Sequence, residues 1–310
     1  MNTSLKGGLI SLARCAARTY IHSPWNFGKR AVYDAYCRNF GWRHYRKIVK
    51  TRFGDLMEIN TPDVISTTIF LAGHWEPMIT EYVRGALNPG DTFIDIGANI
   101  GYYTVLASRM VGDSGSVISI EAHPGIYDRL KKNVALNDRK NVRIINAAAG
   151  SSRGELPIFS GPEINLGHTT TVATIADSEG LRCDGMVRSD TLESLVGMNS
   201  LYNARLIKVD VEGAEYEVLS TIFDSLAQFS PTTEWILELA PENCPAGRSA
   251  IHEIYAAFRS AGYEPFKIDN PYGFHQLERT RNIKFTPISD AMQDEWHDVL
   301  MTRKSQTKMS

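Results

Sequence analysis

The stretch "DTFIDIGANIGYYT", residues 91–104, sets the reading of the whole chain. A short apolar run stops at Asp95, breaks into Gly97, Asn99 and Gly101, and resumes at helical spacing with Tyr102, Val105, Leu106 and Met110. This is a strand, a glycine-rich turn and a helix, a combination that holds small ligands against backbone amides. Two familiar versions fail on residue grounds. A P-loop needs a Lys after its last glycine, and Tyr102 follows Gly101. A dinucleotide loop wants glycine where Asn99 stands, and an acid, Asp95, is expected at the loop mouth, where it would repel a pyrophosphate.

S-adenosyl-L-methionine (SAM) has no phosphate but carries an ammonium, a sulfonium and a ribose diol. Asp95 suits its cationic end, and Gly97, Asn99 and Gly101 let the backbone approach it. Glu121, closing the next apolar run "SVISIEA", can accept both ribose hydroxyls. Strand-like and helix-like pieces alternate from residue 91 onward, predicting a parallel sheet with helices on both faces. The strands are expected at 92–96, 116–122, 141–150, 205–211, 234–240, 263–268 and 297–302. The third ends in small residues, among them Ala148, that let a planar ligand approach. Residues 151–190 read as a strand, "ELPIF", followed by a polar, Thr-rich insertion over the sheet edge.

Four segments, "FIDIGANIGYYT", "ISIEAHP", "INAAAG" and "LIKVDVEGAEYEVL", flanked by "HWEP" and "LELAP", resemble the FkbM-type family of SAM-dependent methyltransferases over roughly residues 74–240. The resemblance implies a class I methyltransferase (Rossmann-like) fold, an α/β sheet of seven mostly parallel strands with the last one reversed. It also implies O-methylation of a hydroxyl on a sugar, glycan or secondary metabolite. Residues 74–310 are then the methyltransferase domain and 1–73 a basic helical extension about which the family says little.

Methyl transfer needs a nucleophilic oxygen held in line, and a positioned base assists a poor nucleophile such as a sugar hydroxyl. Asp210 and Glu212 end the fourth strand on the crevice side, so Asp210 is expected as base or hydroxyl anchor with Glu212 beside it. The same acids would equally serve as caps for the helix that follows. His168, which the resemblance puts near the substrate mouth, is a further catalytic candidate, and Glu76 and Glu238 are candidates for substrate contact. Asp210, Glu212 and His168 are also suitable metal ligands by type, but no Asp-Asn partner follows at the spacing of metal-dependent methyltransferases, and no metal is expected. Rival functions are an NAD-dependent oxidoreductase on a related fold, disfavoured by Asp95, and a non-catalytic SAM-binding accessory protein.

Charge is distributed unevenly. Residues 1–52 hold eleven Lys or Arg against one acid, Asp34, while the whole chain is at -2. This basic arm is expected to meet the acidic body of the protein or an anionic surface such as phospholipid. Nucleic acid is not expected as a partner, since the pI is near 6.5 and no aromatic RNA-binding motif occurs. Cys15, Cys37, Cys183 and Cys244 lack metal or disulfide spacing, which points to a reducing, cytoplasmic setting, with peripheral contact at the inner membrane surface through residues 1–52. The N-terminal segment reads as a helix with Leu5, Leu9, Leu12, Ala13, Ala16 and Tyr20 on one side and basic residues elsewhere.

Overall fold

The computed structural model describes residues 3–23, 25, 27–41, 43–161, 169–271, 273–277 and 283–303. Helices α1 (Thr3–His22) and α2 (Lys29–Tyr36) precede a hairpin of β1 (Tyr45–Lys50) and β2 (Leu56–Thr61), then α3 (Val64–Ala72) and α4 (Pro77–Ala86). The main sheet begins with β3 (Thr92–Ile96), α5 (Tyr102–Val111), β4 (Ser116–Glu121), α6 (Pro124–Leu136) and β5 (Val142–Asn146). Strands β6 (Ala148–Ala149), β7 (Gly154–Ser160), β8 (Thr169–Thr170) and β9 (Arg182–Asp190) form a second sheet. The chain then returns to the first through β10 (Leu206–Val209), β11 (Glu234–Leu239), β12 (Glu264–Ile268), β13 (Phe285–Pro287) and β14 (His297–Thr302).

The main sheet runs β13-β12-β14-β11-β10-β3-β4-β5. The five strands from β11 to β5 are parallel, and β14 lies antiparallel between β11 and β12. This is the class I methyltransferase arrangement, with β13 as an eighth, three-residue edge strand. The central strands are nearly continuous apolar runs because both faces are covered. Phe93, Val117 and Leu206 face a core shared with α3, α4 and α5, whereas Ile94, Ile118 and Ile207 face one shared with Leu192, Val218 and Ile254. Ile21 and Tyr36 of the N-terminal helices belong to the first of these cores.

Three expectations change. The strand expected over 141–150 splits after Asn146, whose side-chain amide donates to the carbonyls of Glu121 and Ala122. Ala148 and Ala149 leave the main sheet to pair with β9. Residues 151–190, read as one strand and a polar insertion, instead supply three strands of the four-stranded sheet β6-β9-β7-β8, with β7 and β9 paired along nearly their whole lengths. Within that stretch, residues 162–168 lie outside the described residues.

Helix α1 turns two of its arginines inward. Arg14, not the alanines, is buried, at 3% exposure, with its guanidinium 4.2 Å from the centre of the Tyr45 ring and donating to the carbonyls of Phe40 and Arg43. Arg18 donates to the carbonyls of Phe70 and Lys50. The arginines are drawn inward because each guanidinium satisfies carbonyls beside an aromatic face. Leu12, Ala13 and Ala16 are left exposed as a result.

Candidate functional site

In an open parallel sheet the ligand crevice lies beyond the carboxyl ends of the strands, where the order reverses. Here that point falls between β3 and β10, and a cleft of about 220 Å³ opens there. Its lining includes Gly97 and Asn99 from the loop after β3, Glu121 at the end of β4, Ala147, Ala148 and Ala149, and Asp210 and Glu212 after β10. Trp75, Glu76, Glu238 and Trp296 also line it. Of the four non-glycine residues with positive φ among the described residues, three line this cleft: Glu76 (38°), Asn99 (50°) and Glu212 (51°). Strained backbone of this kind persists where surrounding structure holds a functional geometry.

The loop after β3 is shaped for close approach. Gly97 sits at φ 78°, and a Cβ there would lie 1.7 Å from the carbonyl oxygen of Asp210, so only glycine fits. Glu121 organises the loop from below: its Oε2 accepts from the Asn99 amide at 2.8 Å and its Oε1 from the His123 amide at 2.8 Å. Each carboxylate oxygen keeps a second lone pair for a ligand hydroxyl. His123 in turn caps α6, its Nδ1 accepting from Gly125 and Ile126 while Nε2 pairs with Asp184 of β9 at 3.1 Å.

Burial pushes the Glu121 carboxyl up to about 7, against the opposing bonds from His123 and Asn99. A diol that donates to Glu121 favours its ionised form, so binding releases a proton. The affinity for SAM is expected to rise by about tenfold between about pH 6 and 8 and then level off. Calorimetry in two buffers of different ionisation enthalpy checks this, and Glu121→Gln should flatten the profile; a wild-type affinity that does not vary with pH would refute it. In the ligand-free protein the sign is opposite: an acid raised above its usual value costs stability as pH climbs from the mid-4 range to about 7.

Asp95 does not sit at the mouth of the loop. Its side chain is fully buried beneath it, accepting from the Thr104 hydroxyl at 2.7 Å, and its Oδ1 has no hydrogen-bond partner among the described residues. The strand register explains the placement: Asp95 lies opposite Lys208 of β10 on one side and Ser119 of β4 on the other, forming a polar row under the cleft floor. Gly101 also lies outside the cleft. It stands at the N-terminus of α5 with φ 86°, and a Cβ there would meet Leu130 of α6 at 2.5 Å, so this glycine serves helix packing.

Lys208 was missed in the sequence reading, although a lysine inside the apolar strand "LIKV", two residues before Asp210, is a signal that alternation places both on one face. Its ammonium donates to Asp210 Oδ2 at 2.6 Å and lies 5.2 Å from the centre of the Tyr103 ring. Burial works against its charge, but Asp210, Glu76 and Asp95 together outweigh burial and raise its pKa. Tyr103 donates to Glu76 at 2.7 Å, which brings Glu76 into the same network. Glu238 accepts from the Trp296 indole at 3.0 Å, and burial, with Asp210 and Asp298 nearby, raises its carboxyl well above the usual range.

Glu215 was also missed. Its buried carboxylate accepts from the amides of Val211 and Gly213, tying down the turn after β10. Burial pushes it up to about 8. The turn is thus held by Glu215, which leaves the carboxylates of Asp210 and Glu212 among the cleft-lining groups. His168, expected as a catalytic candidate, lies outside the described residues.

The lining fits SAM better than a phosphorylated cofactor. Five carboxylates line the cleft, those of Glu76, Glu121, Asp210, Glu212 and Glu238, and no Lys, Arg or His does among the described residues. A cationic ligand is favoured in that field and a pyrophosphate is opposed.

Among known proteins, the family model described as the methyltransferase FkbM domain matches residues 95–265, more than half of the chain. An arsenite methyltransferase of Halobacterium salinarum is 26% identical over 59% of this chain and 40% of its own length. Methyltransferase sdnD of Sordaria araneosa is 30% identical over 48% of this chain and 67% of its own. The hexuronic acid methyltransferase AglP of Haloferax volcanii is 30% identical over 44% and 52%. The chain therefore spans 40% of the first relative and between half and two thirds of the other two. A solved structure of methyltransferase FkbM from Methylobacillus flagellatus KT is 11% identical over 77% of this chain and 54% of that one, with a TM-score of 0.40.

Proposed function

The chain belongs to the FkbM methyltransferase family, and from that premise we propose that it transfers the methyl group of SAM to a hydroxyl oxygen of a neutral, polyhydroxylated acceptor such as a sugar or hydroxylated metabolite. The observation that carries this reading is Asp210, a partly exposed carboxylate in the cleft, adjacent to the Gly97 turn and held from behind by Lys208.

When bound, SAM supplies a methyl group already activated by its positive sulfur. Glu121 accepts the ribose hydroxyls, and the small side chains of Ala147, Ala148 and Ala149 leave room for the planar base. Asp210 would accept the hydrogen bond of the acceptor hydroxyl, fix the direction of its oxygen lone pair, and take its proton as the oxygen–methyl bond forms and the methyl–sulfur bond breaks, its electron pair staying on sulfur. The proton leaves through the open side of the cleft, where the Asp210 side chain is 24% exposed. Glu76, Glu212 and Glu238 receive the acceptor's remaining hydroxyls.

Labelled-methyl transfer from SAM to a panel of neutral glycosides, uronates, phenols, amines and arsenite tests the reading. The expected product is an alkali-stable methyl ether on a neutral hydroxylated acceptor, with uronates poorer because carboxylates surround the reacting oxygen. Label found only in alkali-labile esters, on nitrogen or on arsenic would overturn it.

A further inference from the structure

The charges and apolar side chains of the N-terminal helices are arranged in a way that methyl transfer does not use. In α1 the arginines at 14 and 18 are turned toward the protein, while Leu12, Ala13 and Ala16 face outward. The three most exposed large apolar side chains among the described residues all fall in this region: Phe27 at 92%, Trp25 at 71% and Leu12 at 68%. Trp25 and Phe27 lie between α1 and α2, and the backbone carbonyls of Ser23 and Phe27 are each hydrogen-bonded. The Tyr20 hydroxyl donates to the Phe27 carbonyl, and Lys29 Nζ donates to the Ser23 carbonyl at 2.8 Å. Two aromatic rings left in water oppose the hydrophobic effect unless something apolar receives them.

Beside them lies an apolar groove of about 620 Å³, lined by Ala13, Ala16, Val32, Tyr36 and Phe40, with Arg43 also on its wall. The nearby sequence is one-sided in charge: Arg30, Arg38, Arg43 and Lys47 are exposed, with Lys47 reaching Cys15 of α1, Arg46 is paired with Glu58, and Asp34 is the single acid in residues 1–52. Among the described residues no helix is long and apolar enough to cross a membrane, so the pattern is that of surface contact: Trp, Phe and Leu outward, with cations around them.

We propose that α1, the Trp25 and Phe27 segment and α2 form a docking face for an anionic phospholipid bilayer. Trp25, Phe27 and Leu12 enter the interfacial layer, the groove receives acyl chain, and the exposed Arg and Lys side chains meet lipid phosphates. Charge complementarity selects this occupant over a symmetric dimer, because a second copy meeting it face to face would bring an equally basic surface against this one.

Flotation of the full chain with vesicles of phosphatidylcholine, alone or mixed with phosphatidylglycerol, tests the proposal. The protein is expected to float with the anionic vesicles at low salt, to stay behind with the neutral ones, and to lose binding by at least about tenfold at high salt. Trp25→Ser with Phe27→Ser, and separately Arg30→Glu with Lys47→Glu, should each lower the floated fraction about tenfold while leaving the thermal melt unchanged, since all four side chains are exposed. A wild-type chain that ignores anionic vesicles, or a double serine variant that floats as the wild type does, overturns the proposal. So does a wild-type dimer that the serine variant dissociates, which would assign the face to a second copy.

Discussion

Lys208→Met is expected to lower folding stability by about 3–5 kcal/mol and to abolish measurable methyl transfer, because it removes the cation around which three acids are arranged. Lys208 is 4% exposed and donates to Asp210, while Asp95 and Glu76 share its field. Methionine fills the space of the stem but leaves Asp95 buried as an acid whose principal counter-charge is gone. The pH dependence follows from the sign of the shift. Burial already raises Asp95 against the pull of Lys208, and an acid raised in the folded state costs stability as pH climbs above its unfolded value. The variant should thus be closest to wild type near pH 4 and fall further behind toward neutrality. Denaturant melts at several pH values measure this. The double variant Lys208→Met with Asp95→Asn separates charge from packing: it should recover much of the lost stability without recovering activity. If Asp95→Asn gives no relief, Lys208 acts through packing and the electrostatic account is wrong.

The contrast between Asp95 and Glu121 explains how much of the site was legible in the sequence. Strand ends can be read from local apolar runs, and the end of a parallel strand faces the crevice, so Gly97, Asn99, Glu121, Asp210 and Glu238 could be gathered from the sequence and do line one cleft. Depth is different. Asp95 lies one residue inside its strand end, and whether it faces ligand or core depends on which residue the neighbouring strand sets against it. That residue is Lys208, more than a hundred positions away, and no local pattern reports the pairing. Gly101 is similar, since its lack of a side chain answers to Leu130 of another helix. In α1, periodicity identified a two-faced helix but not its orientation. Apolar patterning assumes that arginine stays in water, and Arg14 instead finds the Tyr45 ring and two carbonyls inside. The second sheet was illegible for another reason. Strand β9, "RCDGMVRSD", lacks apolar alternation because most of it is exposed on both sides, and its order comes from pairing with β7.

Asp210→Asn is expected to slow methyl transfer by about 10²–10⁴-fold while leaving the fold and SAM affinity close to wild type. The substitution is nearly isosteric. The Asp210 amide still donates to the Ile96 carbonyl at 3.0 Å, the carbonyl that makes Gly97 obligatory stays in place, and an asparagine oxygen can still accept from Lys208. What disappears is the site that takes the proton from the acceptor hydroxyl. Its loss should lower kcat and kcat/KM together, the pattern of an interaction made in the transition state. If Asp210 only anchored the acceptor, KM would rise with kcat preserved, because an asparagine amide anchors a hydroxyl less firmly but does not block reaction. Pre-activated phenolic acceptors, which ionise without help, offer a second discrimination. The variant should retain far more of its rate on them than on an aliphatic alcohol, and an equal loss on both would transfer the role of base to another carboxylate of the cleft, with Glu212 and Glu76 the first to replace.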